Sequence, residues 1–269
     1  MKFKETLTEA VRDMVNHGYD DQRRLDDWMV KLREAAEAEL MPPKEVERKL
    51  KRALEMAYKR SLSKAHIRKH HPFVSRFTID RIAPELRPEL TKRIMASTDL
   101  IKLHREQAVE KTMQRFSGWA TSIPAGGSRV VDKVEVKEDI SKSLRQLKYE
   151  QRRLEIDQGH KLMASIDAVI AKQTDAIAGI WRDHGSVDPT YNARHSHMER
   201  NGKVYAVRGN WAIEKGLMNK GAGYMDEMTQ AGEEVFCSCY MVWLQNLRDL
   251  PDDMLTAKGK KMLEETRVA

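Results

Sequence analysis

The sequence has little of what disulfide-rich, membrane-spanning or β-rich proteins require. Its 269 residues include two cysteines, too few for a disulfide framework, and aromatic residues make up only 6%. No apolar run reaches the roughly 18 residues of a transmembrane helix. The chain begins with Met-Lys-Phe-Lys-Glu-Thr, which lacks the apolar run of a signal peptide. These absences favour an intracellular protein with no membrane partner.

Charged residues are abundant instead. They make up 33% of the chain against 41% hydrophobic residues, which predicts exposed helices around thin cores. The formal net charge is +7 and the pI is about 9.3. A polyanion such as nucleic acid is therefore a candidate neighbour, and a basic surface without a dedicated partner is the alternative.

Apolar residues recur at helical spacing through most of the chain, and strand-like patterns are confined to its C-terminal part. Helices are predicted over about residues 4–16, 21–40, 44–70, 84–116, 137–184 and 251–265, and strands over 203–207 and 235–244. Residues 73–82 are predicted to be a connector or a short strand. The predicted fold class is mainly α, with an elongated helical N-terminal region and a long central helix. A small C-terminal α+β module contains a two- or three-stranded antiparallel sheet.

This pattern divides the chain into three regions. Residues 1–116 form a helical region that includes a basic helix. Residues 117–135 contain a run of small residues and form a predicted linker. Residues 136–269 combine the long helix, the α+β module and a C-terminal helix.

The third predicted helix is the basic part of the protein. Ten lysines and arginines and only three glutamates lie between Lys44 and Lys69. Such a face is suited to the phosphates of double-stranded DNA, and the alternatives are a solvated face or an acidic protein partner. The candidate DNA-facing residues are Lys44, Arg48, Lys51, Arg52, Lys59, Arg60, Lys64, Arg68 and Lys69. His66, His70 and His71 lie at the end of this helix. No cysteine or nearby carboxylate completes a metal site there, so the interpretation is a cationic helix C-terminus.

Two pairs of metal-binding residue types occur near the C-terminus. His195 and His197 are one residue apart, and so are Cys237 and Cys239. In extended chain, residues i and i+2 point to the same face, so each pair is able to aim at one point. These four residues are candidate ligands of a tetrahedral zinc ion, although zinc fingers usually have longer spacings. The alternative is that the cysteines are small buried residues of a strand.

The residues around these pairs resemble the phage Mu F-like head morphogenesis proteins, which are minor capsid proteins of tailed phages. The family pattern has an Arg, then Ser-His, then Gly-Lys-Val, and closes with Cys-x-Cys before an apolar strand. The matching residues are Arg194, Ser196, His197, Gly202, Lys203, Cys237 and Cys239. The sequence departs from the pattern at Ser238, where Arg is usual, and at Phe236, where Asn is common.

The resemblance implies a non-catalytic minor head protein that acts in head assembly near the portal. The implied partners are portal, coat or scaffold proteins, and packaged DNA is an additional candidate. The implied location is the virion, in the head interior or close to the portal, and the host cytoplasm during assembly. The alternative function is a metal-dependent nuclease or other hydrolase centred on His195, His197, Cys237 and Cys239.

Overall fold

The computed structural model describes residues 2–129, 133–183 and 195–268, and these residues are mainly α-helical. The helices are α1 Phe3–His17, α2 Gln22–Glu39, α3 Pro43–Ser61, α4 Lys64–His70, α5 Arg76–Ala120, α6 Lys133–Gln173, α7 His195–Arg200, α8 Trp211–Glu214 and α9 Ala257–Val268. Three strands, β1 Ala178–Arg182, β2 Val204–Ala206 and β3 Tyr240–Leu244, form one antiparallel sheet. The predicted mainly α fold with a small C-terminal α+β module is confirmed.

The chain forms two compact units, each assembled from segments distant in sequence. One unit contains residues 1–50 and 96–154, and the other contains residues 51–95 and 155–269. The expected linker, as far as the structure describes it, lies within the first of these units.

The first unit is built on apolar helix faces. α1 buries the side chains that recur at its i, i+3 and i+4 positions, among them Leu7, Val11 and Met14. They pack with Leu32 of α2 and Phe116 of α5 in one hydrophobic cluster. Burial of these helix faces is the main source of the unit's stability, because removal of apolar area from water dominates folding energetics.

Helix boundaries in the basic region and after it differ from the prediction. The predicted third helix is two helices, because Ser63 interrupts it and caps α4 by accepting a hydrogen bond from His66 N. The next helix, α5, was predicted to begin near Pro84. It begins at Arg76, after Ser75, whose hydroxyl accepts a hydrogen bond from Thr78 N. Pro84 therefore lies inside the helix.

The long central helix is shorter than predicted, and this difference creates the sheet. α6 ends at Gln173, and Asp175 then adopts a left-handed conformation with φ 51° while Ala176 N donates to Ala171 O. Residues 178–182, predicted as helix, are instead β1, the central strand of the sheet. The order is β2-β1-β3, with Ile180 paired to Val204 on one side and to Val242 on the other.

The two faces of the sheet lie in separate hydrophobic clusters within the second unit. One cluster contains Ala178, Val204 and Leu244 with residues of the C-terminal segment. The other contains Trp181, Tyr205 and Trp243 together with both cysteines and Ala171 of α6. Among the described residues, none of the helices combines the length and the apolar character needed to cross a bilayer.

Candidate functional site

One imidazole and both thiols of the chain meet beside the sheet. His197 Nδ1 lies 3.6 Å from Cys237 Sγ and 3.5 Å from Cys239 Sγ. All three residues are buried, with exposed fractions of 3%, 1% and 7% in that order. The free thiols are the cysteines of the sequence motif, so the structure brings together residues that are 40 and 42 positions apart.

Strand pairing adds a carboxylate to this group. β1 and β3 are antiparallel, and Arg182 is paired with Tyr240. By the same register, Asp183, which follows β1, lies opposite Cys239, which precedes β3. Asp183 Oδ1 lies 3.6 Å from Cys239 Sγ, and Asp183 N donates to Asn201 Oδ1 at 3.1 Å. The carboxylate is thus held by the end of the central strand.

His195 is not part of this cluster, which corrects the expected ligand set. The prediction assumed extended chain, but residues 195–200 form the short helix α7, in which side chains two positions apart point in different directions. The side chain of His195 is 88% exposed and pairs with Glu199 one helical turn away. Only His197 of the two histidines faces the cysteines.

The turn before β3 sets the positions of the thiols. Cys237 N donates to Glu234 O, and Gly232 N donates to Cys237 Sγ at 3.4 Å. Phe236 has φ 58°, and its N–H donates to Asp157 Oδ1 of α6. A left-handed conformation is uncommon for Phe and several-fold enriched for Asn. The turn is therefore fixed to α6 by a hydrogen bond to the Asp157 side chain, and the cysteines precede β3 instead of lying within the predicted strand.

A second carboxylate orients the histidine ring. His197 Nε2 lies 3.2 Å from Glu234 Oε1, a contact that requires a proton on Nε2. The other ring nitrogen, Nδ1, faces the two sulfurs. Trp181, which is fully buried, stands edge-on to the ring at 5.3 Å between centroids. These contacts on both nitrogens and on the ring face fix the orientation of the ring.

The two thiols have opposite pKa shifts. A hydrogen bond from Cys239 is the main cause that lowers the pKa of Cys237 to about 5, and Gly232 N adds to this effect. Donation of that hydrogen bond and burial raise the pKa of Cys239. The pair therefore holds one thiolate and one thiol at neutral pH, and thiolate is the form that binds metals.

A second buried cluster contains the three histidines at the end of the basic region. His66 Nε2 and His71 Nε2 lie 2.9 and 3.2 Å from Asp167 Oδ1, and His70 Nδ1 lies 2.8 Å from Asp167 Oδ2. The prediction that no carboxylate completes this group is wrong, because Asp167 of α6 reaches it from about a hundred positions away in sequence.

Hydrogen bonding accounts for this second cluster. Three ring N–H groups donate to one carboxylate, and these bonds hold the pKa of Asp167 well below its usual range against the opposing effect of burial. Burial lowers the pKa of His70, and the hydrogen bond to Asp167 only partly opposes this shift. The Nδ1 atom of His71 is buried without a hydrogen-bond partner, so Nε2 is the ring nitrogen that contacts Asp167. His66, His70 and Asp167 also have the donor types of a metal site.

The two clusters share a cavity of about 360 Å³. Its wall includes His66, His70 and Asp167 on one side and Ser238 and Cys239 on the other. His197 and Cys237 do not line it. The imidazole–thiol contact is therefore closed off from this space except at Cys239.

The remaining predicted residues fall in three groups. Arg194 lies outside the described residues, and Ser196 is exposed. Gly202 has φ 81° and its N–H donates to Trp181 O, while Lys203 O accepts from Trp181 N, so both fasten α7 and β2 to β1. All nine candidate DNA-facing residues of α3, α4 and the turn between them are exposed.

Three residues of the clusters were missed by sequence reasoning. Asp183 was hidden because residues 178–182 were assigned to helix, although their run of Ile, Trp and small residues is typical of a buried strand. Glu234 and Asp167 have no sequence signal, because each meets its partner through tertiary packing alone. Comparison of the chain with protein-family models, with curated proteins and with solved structures finds no match.

Proposed function

We propose that this protein is a minor head protein of a tailed phage or prophage, which acts non-catalytically in head assembly near the portal. The observation that supports this proposal is the meeting of the motif residues His197, Cys237 and Cys239 in one buried cluster. Gly202 and Lys203 of the same motif join the cluster's helix to the central strand. These residues of the Mu F-like pattern thus hold the same part of the fold together.

A departure from the family pattern also fits the proposal. Phe236 stands where Asn is common. Its φ of 58° is left-handed, a conformation in which Asn is several-fold enriched. The turn in this chain therefore has the backbone geometry that the family's usual residue favours. The hydrogen bond that Phe236 N–H donates to Asp157 Oδ1 of α6 holds the turn in that geometry with Phe.

Burial favours a structural role over the hydrolase alternative. His197 and Cys237 are almost fully buried and do not line the neighbouring cavity, and of the thiol–imidazole cluster only Cys239 reaches that cavity, among the residues that the structure describes. Exposed basic side chains on α3 and α4 support a secondary contact with packaged DNA. Portal, coat or scaffold proteins are the proposed protein partners.

The test is mass spectrometry of purified procapsids and virions from the phage or induced prophage that encodes the chain. We expect the protein in both particles, in far fewer copies than the coat protein. Its absence from both would overturn the proposal. In complementation of a deletion mutant, we expect His197→Ala to fail and the matched variant His195→Ala, whose side chain lies outside the cluster, to restore infectious particles.

A second assay addresses the alternative function. The purified chain is incubated with plasmid DNA and divalent ions. We expect no turnover. Cleavage that His197→Ala abolishes and His195→Ala retains would replace the structural role by a nuclease.

A further inference from the structure

We infer that His197, Cys237 and Cys239 bind one zinc ion, which joins helix α7 to the turn before β3. The zinc site is independent of the proposed role in phage heads, because it rests on donor geometry alone. It differs from the set predicted from spacing, since His195 lies outside it.

The distances between donor atoms fit a tetrahedral zinc ion. Bond lengths of about 2.3 Å to sulfur and about 2.0–2.2 Å to nitrogen or oxygen require sulfur-to-nitrogen and sulfur-to-oxygen edges of about 3.5–3.6 Å. The observed edges are 3.6 and 3.5 Å from His197 Nδ1 to the two sulfurs. Both sulfur-to-nitrogen edges therefore have the length that zinc imposes, and all three donor atoms lie within 4.8 Å of one another. The carboxylate of Asp183 contacts Cys239 Sγ at 3.6 Å and is not part of this group.

Several electron-pair donors converge on one point. Both sulfurs approach His197 Nδ1, the ring nitrogen that does not contact Glu234. The carboxylate of Asp183 approaches Cys239 Sγ in addition. A cation placed between the nitrogen and the two sulfurs would interact favourably with all three.

The surroundings have the features of a metal centre's outer shell. Glu234 accepts from His197 Nε2, which is the carboxylate–histidine–metal arrangement that fixes ring orientation and increases ligand basicity. Gly232 N donates to Cys237 Sγ, and Trp181 shields the ring from solvent. Two thiolates and one imidazole are ligand types of protein zinc sites.

The histidine–aspartate cluster is the other candidate metal site, and its geometry gives weaker support for a bound ion. Its nitrogen–oxygen distances of 2.8 to 3.2 Å are hydrogen-bond lengths, and each joins a ring donor to a carboxylate acceptor. Every contact of Asp167 with a ring is thus already explained without an ion.

Zinc content of the full chain purified without chelators is the primary measurement. We expect about one zinc per chain by elemental analysis, and both thiols protected from alkylation until a chelator is added. Cobalt exchanged into the site should give the absorption of tetrahedral, thiolate-ligated Co(II). A zinc-free protein that does not take up stoichiometric zinc or cobalt, with thiols that react at the same rate with and without chelator, would overturn the inference.

Ligand identity is tested by competition of each variant with a chromophoric zinc chelator. We expect His197→Ala and Cys237→Ala to lower zinc affinity at least 100-fold, and Glu234→Gln to lower it about 10–100-fold as an outer-shell change. His195→Ala should leave affinity unchanged. Unchanged affinity in His197→Ala or Cys237→Ala, or a loss in His195→Ala equal to that in His197→Ala, would contradict the assigned ligands. Since a variant that fails to fold gives no affinity, the cobalt spectrum of the wild-type chain remains the deciding measurement.

Discussion

Asp167 Oδ2 and His70 Nδ1 are 2.8 Å apart, although 97 positions separate the two residues in sequence. The same carboxylate accepts from His66 and His71. One buried side chain of α6 therefore binds two residues of α4 and the residue that follows this helix. His70 also stacks on Tyr240 of β3 at 4.7 Å between ring centroids. This contact connects the helix end of the basic region to the sheet that carries the candidate zinc site.

Replacement of Asp167 by Asn should destabilise the second unit strongly. An amide cannot accept from three ring donors, and its own N–H₂ group would face them, so we expect a loss of about 3–5 kcal/mol in the free energy of unfolding. Urea denaturation followed by circular dichroism measures this loss. Asp80→Asn, at an exposed residue paired with Arg76, is the matched control and should change stability by about 0.5 kcal/mol or less. Equal effects of the two variants would refute the role of the cluster.

Stability should fall in mildly acidic solution. The pKa of His70 is lowered in the folded protein, so folding favours the neutral ring. Its contribution is fully present above the ordinary value of 6.5 and is lost as the pH falls through the folded pKa. The pKa of Asp167 is lowered too, and its contribution is lost only below the ordinary carboxylate value of 3.8. His70 therefore contributes to the loss below pH 6.5, with a slope of at most about 1.4 kcal/mol per pH unit. The lowered pKa of Cys237 adds to the loss down to about pH 5.

Urea midpoints at pH 7.5, 6.5 and 5.5 measure this dependence. We expect His70→Gln to have a shallower slope than the wild-type chain, because Gln keeps a hydrogen bond but does not titrate. His195→Gln should keep the wild-type slope, since that side chain is exposed. Identical slopes in wild type and His70→Gln would show that another group controls the response.

Removal of zinc by a chelator should increase local opening around the zinc site and leave α1 and α2 unchanged. If zinc joins α7 to the turn before β3, its removal should increase amide hydrogen exchange in residues 195–207 and 231–244. Exchange in α1 and α2 should not change, because their core contains neither ligand nor outer-shell residue. Free zinc at a hundred times its dissociation constant should stabilise the folded chain by about 2.7 kcal/mol over the zinc-free form. Uniform acceleration across both units would contradict a local zinc brace.

The exposed basic side chains should make a measurable contribution to DNA binding. In the double variant Lys59→Glu/Arg60→Glu we expect weaker binding of double-stranded DNA, and a salt slope that is smaller by about 0.9 for each lost phosphate contact. Fluorescence anisotropy at several salt concentrations measures both. Lys260→Glu/Lys261→Glu on α9 has the same charge change at exposed positions and is the control. Equal losses of DNA affinity in the two variants would mean that net charge, and not the position of the basic residues on α3, causes the effect.

The positions of the sheet and of the candidate site were only partly predictable. Apolar spacing predicted α1 and α2 to within about two residues, and β-branched and aromatic residues predicted β2 and β3 approximately. The central strand was missed, because α6 was extended through Asp175, whose left-handed conformation ends the helix. That error also concealed Asp183, because its place opposite Cys239 exists only in the register of β1 and β3.

Local sequence by itself determined the helix faces, the basic character of residues 44–69 and the residue types available to bind a metal. Periodicity and charge act over a few positions, so they can be read along the chain. Only the tertiary structure decided that His197 and not His195 faces Cys237, and that Asp167 meets three histidines. These contacts join segments 40 to 101 positions apart, and their formation depends on the packing of whole helices and the register of a sheet.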